Sequence, residues 1–407
     1  MSFNSNCIKI NECLCCLEKI TELLDLNEQP LANNFHNINE EDQLFPLKLN
    51  YCKKCFHCQL SHSINPEILF KNYKYLSGTS NTGMIFFKDN AKFINEYKNI
   101  ENGNILDIAC NDGTQLDCFK DLNWNTYGVD PAENLFNLTK NKGHNIICGF
   151  WNIEIAKQLP KMDVILAQNV FAHTQNVDDF LQSCKFLMKN TTSLFIQTSQ
   201  KNMILNNEFD TIYHEHISFF NSKSMNELVN RNGLKLNNVF ENDIHGTSYI
   251  FEIKLDKNNS SNIDKIFEDE CVKGLYNIKT YLDFSSNAKN CLKNLINKID
   301  EYRNKNYKCI GFGASAKGQT VICYGDIILD YIIDENPLKI GLYSPKLNIP
   351  VVSVEHFNND KFEKFLIIIL AWNFSKEIID KIMRLNKMCE IIIIKNYFPN
   401  IKIISNK

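Results

Sequence analysis

The sequence predicts an α/β protein in three parts: a small cysteine-containing N-terminal domain, a central Rossmann-like domain and a second Rossmann-like α/β domain at the C-terminus. Two CxxC pairs lie within the first 55 residues, strand-like and helical stretches then alternate, and a second strand–loop–helix unit begins near residue 307. Such alternation is typical of an open, doubly wound sheet. We place the domains at residues 1–72, 73–255 and 256–407.

The composition is that of an ordinary globular protein. The chain has 407 residues, of which 44% are hydrophobic and 22% charged, enough for two or three cores. A net charge of −3 argues against nucleic-acid binding. The longest apolar runs, Phe365–Trp372 and Ile391–Ile394, are too short to cross a bilayer. Sixteen cysteines without a signal peptide predict a cytoplasmic protein.

The predicted elements follow from apolar runs between polar turns. A helix is expected from about Phe86, and a helical region is expected to end near Lys305, after a polar linker at residues 256–262. The strands predicted for the two sheets are Ile105–Ala109, Asn125–Asp130, Met162–Gln168, Ser193–Thr198, a strand starting at Tyr307, Ile328–Asp334, Phe365–Trp372 and Glu390–Lys395.

The N-terminal cysteines have the spacing of a metal site. Each CxxC pair can place two thiolates on one tight turn, and two such turns form a tetrahedral four-sulfur zinc site. Cys7, Cys15 and Cys58 are additional candidates, and cysteines can cluster by chance in a chain with this many. Four thiolates leave no open coordination position, so the predicted zinc is structural. The ligands that we predict are Cys13, Cys16, Cys52 and Cys55.

The turn after the first Rossmann strand has the features of a nucleotide pocket. Asp107 lies near the end of that strand, Asn111 and Gly113 form the turn, and Asp130 ends the next strand, where it can bind ribose hydroxyls. The turn is not a GxGxxG fingerprint, which disfavours a pyrophosphate. S-adenosylmethionine fits better, with its amino group at Asp107. A strand–turn–helix without a ligand is the alternative.

The loop after the strand Met162–Gln168 should leave the sheet at the same edge. We expect Asn169 to lie near the cofactor and His173 near the substrate. A histidine in an apolar stretch is more often a core residue, so this assignment depends on the surrounding motif.

A second glycine-rich loop, in the segment GFGASAKGQT, follows a strand and opens a helix. Glycines, a serine, a lysine and free helix N-terminal amides can bind an anion, and the pyrophosphate of a nucleotide-sugar is the ligand that we favour. NAD binding and plain packing are alternatives. The residues that we assign to this loop are Gly311, Gly313, Ser315, Lys317 and Gly318.

The whole chain resembles the sugar C-methyltransferase family, S-adenosylmethionine-dependent enzymes of deoxysugar biosynthesis similar to tetronitrose C-3-methyltransferase. The motifs that carry the resemblance are the CxxC pairs, LDLNEQPLANNF, FPLKLNYCKKC, NYKYLSGTSNTG, NDGTQL, QNVFAH, FDTIYHEHISFF, HGTS, GFGASAKGQT, IIDENPLK and AWNF. The resemblance implies a class I methyltransferase domain at the centre, a nucleotide-linked 4-ketohexose methylated at C3, and a monomer. In HGTS, we expect His245 to bind substrate.

The segment Tyr213–His216 matches the active site of that family. Two imidazoles and a carboxylate between aromatic side chains are suited to proton transfer at neutral pH. We expect His216 to remove the C3 proton, Glu215 to orient that imidazole, and Tyr213 or Tyr75 to donate a hydrogen bond to the developing oxyanion, with His173 as a second donor. A metal site is disfavoured, because the histidines lack HExxH spacing.

Two other functions are compatible with the same scaffold. The first is O- or N-methylation of a sugar, which does not require so elaborate a base. The second is a non-catalytic nucleotide-sugar-binding protein that has kept the fold, which the intact Tyr213, Glu215 and His216 argue against.

Overall fold

The computed structural model shows three sheets of four or more strands and a helical segment between the last two of these sheets. It describes residues 6–38, 40–71, 77–79, 81–198, 202–242, 248–256, 261–385 and 387–406. Among these residues, no helix is long and apolar enough to cross a membrane.

The N-terminal part is a small antiparallel β structure. Its main sheet has the order β11-β4-β3-β2, and β1 pairs with β5 in a separate ribbon. The outermost strand, β11, comes from more than 150 residues further along the chain. The elements are β1 (Cys7–Lys9), β2 (Ile20–Gln29), β3 (Phe45–Cys52), β4 (Cys58–Leu60), β5 (His62–Ile64), α1 (Pro66–Phe70) and β11 (Ser218–Phe219).

The central sheet has seven strands in the order β12-β13-β10-β9-β6-β7-β8. All are parallel except β13, which runs antiparallel to both neighbours. The order reverses between β6 and β9, which is where ligands bind in open α/β sheets. The elements are α2 (Asn81–Lys98), β6 (Asn104–Ile108), α3 (Thr114–Lys120), β7 (Asn125–Asp130), α4 (Glu133–Asn141), β8 (Asn145–Cys148), α5 (Ile153–Ala156), β9 (Met162–Gln168), α6 (Val177–Leu187), β10 (Met188–Thr198), α7 (Met203–Asn206), α8 (Ser222–Arg231), β12 (Lys235–Asn242) and β13 (Ser248–Lys254).

The C-terminal sheet has the order β16-β15-β14-β17-β18-β19 and is parallel except for β19. Helices cover both faces, which explains why its central strands are almost continuously apolar. The elements are α9 (Ile263–Val272), α10 (Ile278–Arg303), β14 (Lys308–Phe312), α11 (Ala316–Tyr324), β15 (Ile332–Ile333), β16 (Val351–Val352), α12 (Val354–Asn359), β17 (Lys364–Ile369), α13 (Ser375–Arg384), β18 (Glu390–Asn396) and β19 (Lys402–Ser405).

The largest hydrophobic core joins all three parts. It contains Leu49 of the N-terminal sheet, Phe209 and Ile212 before the catalytic segment, Tyr281 of α10 and Val321 of α11. Burial of these side chains on folding, worth roughly 1.5–3 kcal/mol each, therefore depends on contact between domains. Ile212 and Phe219, on either side of the predicted catalytic segment Tyr213–His216, belong to this shared core.

Most predicted strands are present, with three main differences. The strand predicted at Ser193–Thr198 begins earlier, at Met188. The predicted strand Ile328–Asp334 is reduced to Ile332–Ile333, because Ile328 is exposed and the chain reaches the sheet only at its end. The prediction Phe365–Trp372 ends instead at Ile369, and a 3-10 turn at Trp372–Phe374 follows.

Candidate active site

The segment with the two histidines is held by the N-terminal sheet. Ser218 and Phe219 form β11, opposite Gln59 and Cys58 of β4. The Leu60 amide also donates to the Ile217 carbonyl at 2.8 Å. The chain after His216 is therefore a strand of the cysteine-containing domain, although it follows the Rossmann strands in sequence.

The His216 imidazole has a defined tautomer. Its Nδ1 lies 2.8 Å from the Thr211 carbonyl oxygen, which can only accept, so Nδ1 carries the proton. Its Nε2 lies 2.8 Å from the Tyr213 hydroxyl oxygen. In the neutral ring this nitrogen has a lone pair and accepts the phenol proton.

This bond bears on the expected role of Tyr213. A phenol proton donated to His216 cannot at the same time be donated to an oxyanion. Donation by Tyr213 to an oxyanion therefore stays a prediction. His173 is a candidate within the described residues, whereas Tyr75 and His245 lie outside them.

His173 connects this base to the central domain. Its ring centroid lies 5.3 Å from that of His216, and its other face stacks on Phe70 at 5.6 Å. Burial lowers the pKa of His173 to about 4, so the imidazole is neutral at neutral pH. The loop that carries Asn169 thereby meets the catalytic segment.

Glu215 is buried and accepts a hydrogen bond from Asn33 Nδ2 at 2.7 Å. The hydrogen bonds described above fix the His216 ring from Thr211 and Tyr213, so orientation of the ring by Glu215 stays a prediction. Asn33 lies in the motif LDLNEQPLANNF, but its contact with Glu215 joins residues 182 positions apart and could not be read from the sequence. The Thr211 carbonyl is a backbone group and has no side-chain signal.

The turn after β6 uses several left-handed residues. Ala109, Asn111 and Gly113 have φ values of 62°, 50° and 75°. A Cβ on Gly113 would lie 2.6 Å from the Thr139 methyl carbon, so glycine is required there. The turn therefore packs tightly against α4.

Asp130 organises this turn. Its Oδ2 accepts from the Asn111 amide and its Oδ1 from the Ala132 amide, both at 2.8 Å. A carboxylate has about four acceptor sites, so this geometry leaves capacity for ribose hydroxyls. The turn also holds the segment that follows Tyr75, because Asn111 Oδ1 accepts from the Ser77 amide at 3.0 Å.

Polar groups at the sheet edge fit a zwitterionic cofactor such as S-adenosylmethionine. Burial, and then the neighbouring Asp130, raise the pKa of Asp107 to about 8, so a bound cation would favour its charged form. The Asn169 side-chain oxygen is buried and has no partner among the described residues, and the same holds for the Gln197 amide group and Thr198 Oγ1. Buried polar atoms of this kind require a ligand or water.

Gln197 and Thr198 were missed in the sequence. They end β10, where Gln197 lies opposite Gln168 in the parallel pair with β9. A polar strand end beside the Asn169 loop was the signal that could have found them.

The cysteine quartet has the geometry of a zinc site. The thiolate positions of Cys13, Cys16, Cys52 and Cys55 lie within 4.8 Å of one another, and two of the S–S distances are 3.5 Å. A tetrahedral site with Zn–S bonds of 2.3 Å separates its sulfurs by about 3.8 Å, so these residues fit zinc. Within the described ranges, no other cluster of three or more metal-ligating side chains is present.

The glycine-rich loop after β14 packs closely on the neighbouring strand. A Cβ on Gly311 or Gly318 would lie 2.7 or 2.5 Å from Leu370, and one on Gly313, at φ 92°, would lie 2.5 Å from Ala371. Close packing therefore accounts for these glycines, and anion binding stays a prediction.

Ser315 and Lys317 of the same loop already have partners. The Ser315 hydroxyl caps α11 by accepting from the Gly318 amide at 3.1 Å. The Lys317 ammonium lies 4.3 Å from the centre of the Trp372 ring and 3.3 Å from Asn373 Oδ1. To bind a phosphate, the Lys317 ammonium would have to contact it while keeping Trp372 and Asn373, or give up one of these two partners.

Family models match consecutive parts of the chain. Residues 13–70 match a zinc binding domain, residues 74–239 a methyltransferase domain, and residues 243–394 the C-methyltransferase C-terminal domain. The chain is 25% identical over 389 residues to the C-methyltransferase NovU of Streptomyces niveus, across 91% of this chain and 92% of NovU. This chain belongs to the C-methyltransferase family.

A shorter stretch of this C-methyltransferase matches an O-methyltransferase. The ubiquinone biosynthesis O-methyltransferase of Rhodopseudomonas palustris (strain TIE-1) is 30% identical over 121 residues, 28% of this chain and 46% of that enzyme. Among solved structures, magnesium protoporphyrin IX methyltransferase (ChlM) from Synechocystis PCC 6803 with bound SAH is 13% identical, with a TM-score of 0.35, over 42% of this chain and 83% of that one.

The family assignment agrees with the architecture. The central domain has the class I S-adenosylmethionine-dependent methyltransferase fold, flanked by a zinc-binding domain and a second α/β domain. The zinc is structural, because all four ligands are cysteines and no coordination position remains for a substrate.

Proposed function

We propose that this C-methyltransferase methylates C3 of a nucleotide-linked 4-keto-deoxysugar through an enolate. The observation that carries the proposal is the pair formed by Tyr213 and His216: the phenol oxygen lies 2.8 Å from Nε2, and Nδ1 faces the Thr211 carbonyl, which leaves Nε2 as the nitrogen that can accept a proton. A hydroxyl acceptor needs little base assistance, whereas a C–H beside a ketone must lose its proton before carbon can attack a methyl group.

His216 is the proton acceptor in this proposal. The Tyr213 oxygen lies 2.8 Å from Nε2, so the C3 proton passes to the phenol oxygen as the phenol proton passes to Nε2. The electron pair of the C3–H bond moves into the enolate. His173 would hold the C4 oxygen, a role supported by its neutral imidazole and by its ring centroid 5.3 Å from that of His216.

Bound S-adenosylmethionine would supply the electrophilic methyl group. Asp107 would hold its amino group, Asp130 its ribose, and Asn169 would present its buried side-chain oxygen to the ligand. The enolate carbon forms the new bond to the methyl group, and S-adenosylhomocysteine leaves with the electron pair of the broken S–C bond.

The glycine-rich loop is proposed to bind the nucleotide's pyrophosphate. Its support is its position: the loop leaves β14 where the order of the C-terminal sheet reverses, between β14 and β17. The glycines of the loop pack closely on Leu370 and Ala371, so a ligand would have to bind on the side of the loop away from these two residues.

The test is incubation with S-adenosylmethionine and a panel of dTDP-, GDP- and CDP-linked 4-keto-sugars, read by mass spectrometry. We expect one sugar to gain a single methylene mass, and His216→Asn to abolish the gain. His356→Asn is the matched control, because His356 is exposed in α12, away from the site. Cofactor binding without any mass gain would contradict the substrate class, and loss of both would favour a non-catalytic protein.

A further inference from the structure

The chain that leads into the catalytic segment is held by the C-terminal domain at two points. The buried Asp210 carboxylate accepts, at Oδ2, from Trp372 Nε1 at 2.7 Å and from the Tyr397 hydroxyl at 2.6 Å. Two residues later, the Ile212 carbonyl accepts from Thr320 Oγ1 of α11 at 3.2 Å. These contacts fix the backbone on both sides of the intervening residue.

That intervening residue is Thr211, whose carbonyl oxygen accepts the Nδ1 proton of His216 at 2.8 Å. The position of this carbonyl determines which ring nitrogen carries the proton and where Nε2 points. Rotation of the Thr211 peptide would remove the acceptor of the Nδ1 proton. The Nε2–H tautomer of His216 could then form. The tautomer of the base is therefore linked by one peptide to contacts made by another domain.

Burying the Asp210 carboxylate costs more free energy than burying a neutral side chain that would hold the two domains together. Asp210 is completely buried, and no other described residue donates to its Oδ1. The positive charge of Lys317 favours the ionised form of Asp210 and lowers its pKa, against the effect of burial, and Glu208 interacts with the same ammonium. Burying a carboxylate with one oxygen unsatisfied costs free energy that an amide would avoid in part.

We propose that Asp210 is a positioning residue that couples the C-terminal domain to the catalytic base through the Thr211 carbonyl. The inference deepens the proposed function and rests on His216 as the base. Lys317 and Thr320 both belong to α11, which directly follows the glycine-rich loop. The tautomer of His216, and with it the ability of Nε2 to accept a proton, therefore depends on the position of α11.

The test is the tautomer of His216, measured by long-range ¹⁵N–¹H NMR on histidine-labelled full-length protein. The chain has nine histidines, and His216→Gln identifies the signal. Wild type should show the Nδ1–H form alone. Asp210→Ala should show a mixture of tautomers, and Asp210→Asn a smaller change, because one amide oxygen can still accept both donors.

Activity provides the second measurement. Asp210→Ala should lower kcat by roughly 10²-fold, the loss expected for a misplaced catalytic group, with KM for S-adenosylmethionine unchanged. Thr320→Val, which removes one hydrogen bond at nearly constant volume, should act in the same direction and provides a second variant if Asp210→Ala does not fold.

Ser285→Ala is the matched control. It removes another interdomain hydrogen bond, from Ser285 Oγ to the Leu23 carbonyl at 2.6 Å, away from the base. Ser285→Ala should leave the His216 tautomer and kcat at their wild-type values. A folded Asp210→Ala or Thr320→Val protein with the wild-type tautomer and kcat would overturn the proposal. The NMR measurement needs no sugar, so it stands even if no substrate of the panel is methylated.

Discussion

The Nε2 atom of His216 lies 2.8 Å from the Tyr213 hydroxyl oxygen, and the opposite ring nitrogen is held by a backbone carbonyl. With the Nδ1 proton held by that carbonyl, Nε2 is the nitrogen that accepts from the phenol in the neutral ring. In the proposed mechanism a substrate proton reaches Nε2 through the phenol oxygen, so the two side chains act as one base.

Tyr213→Phe should therefore lose nearly as much activity as His216→Asn, about 10²–10⁴-fold in kcat. The phenyl ring keeps the packing against His216, at 4.0 Å between ring centroids, but cannot relay a proton. The measurement is deuterium exchange at C3 of the keto-sugar in the absence of S-adenosylmethionine. Exchange at the wild-type rate in Tyr213→Phe would show that the substrate reaches His216 directly.

Cofactor affinity should depend on pH through Asp107. Its pKa of about 8 means that the carboxyl is largely protonated at pH 7 in the free protein. A bound cationic amino group favours the ionised form, so binding should release a proton and weaken as the pH falls below 8. Calorimetry at pH 7 should give different enthalpies in phosphate and Tris buffers.

Asp107→Asn is the control for this linkage, because it keeps the side-chain size and removes the ionisable group. It should bind S-adenosylmethionine more weakly and with a buffer-independent enthalpy. Equal enthalpies in both buffers for the wild type would show that Asp107 does not change its ionisation on binding.

The zinc site should stabilise the catalytic segment as well as its own domain. β11 pairs with β4, and the Asn221 side chain donates to the Phe56 carbonyl at 2.8 Å, directly after the second CxxC pair. Cys52→Ser should lose the metal and lower Tm by roughly 3–4 °C, the shift that a cost of about 3 kcal/mol gives in a chain of this length. Cys7→Ser, outside the quartet, should keep one zinc per chain by elemental analysis. Full stability of a zinc-free Cys52→Ser protein would contradict this role.

Acid should destabilise the protein through His214. Burial against Phe45 lowers the pKa of this imidazole from 6.5 to about 4. Between those values the unfolded state binds more protons, so the free energy of unfolding decreases as the pH falls from 6.5 to 4, by about 1.4 kcal/mol per pKa unit at most. His214→Gln should show a shallower decrease in denaturant titrations over this range. An unchanged slope would assign the acid sensitivity to other groups.

The sequence predicted the parts of this molecule that depend on local pattern. Apolar runs gave β7 and β9 at their observed bounds, and CxxC spacing gave the quartet that the structure brings together. Resemblance to a family supplied the segment Tyr213–His216.

The missed features are long-range. β11 is two residues long, too short for an alternation of apolar and polar side chains to be read, and its partner lies far away in the sequence. The Thr211 carbonyl carries no side-chain signature at all. Gln197 and Thr198 are ordinary polar residues until the fold buries them, and Asn33 becomes relevant only through its long-range hydrogen bond to Glu215.

The most direct test of the central claim is to identify the atom of the product that carries the transferred methyl group. Methyl-¹³C S-adenosylmethionine and a 4-keto-sugar labelled with ¹³C at C3, selected from the panel, would be incubated with the protein, and the product examined by NMR. A one-bond ¹³C–¹³C coupling between the methyl carbon and C3 is the predicted result. A transferred methyl group without that coupling, bonded instead to oxygen or nitrogen, would contradict C3 methylation and the role given to Tyr213 and His216.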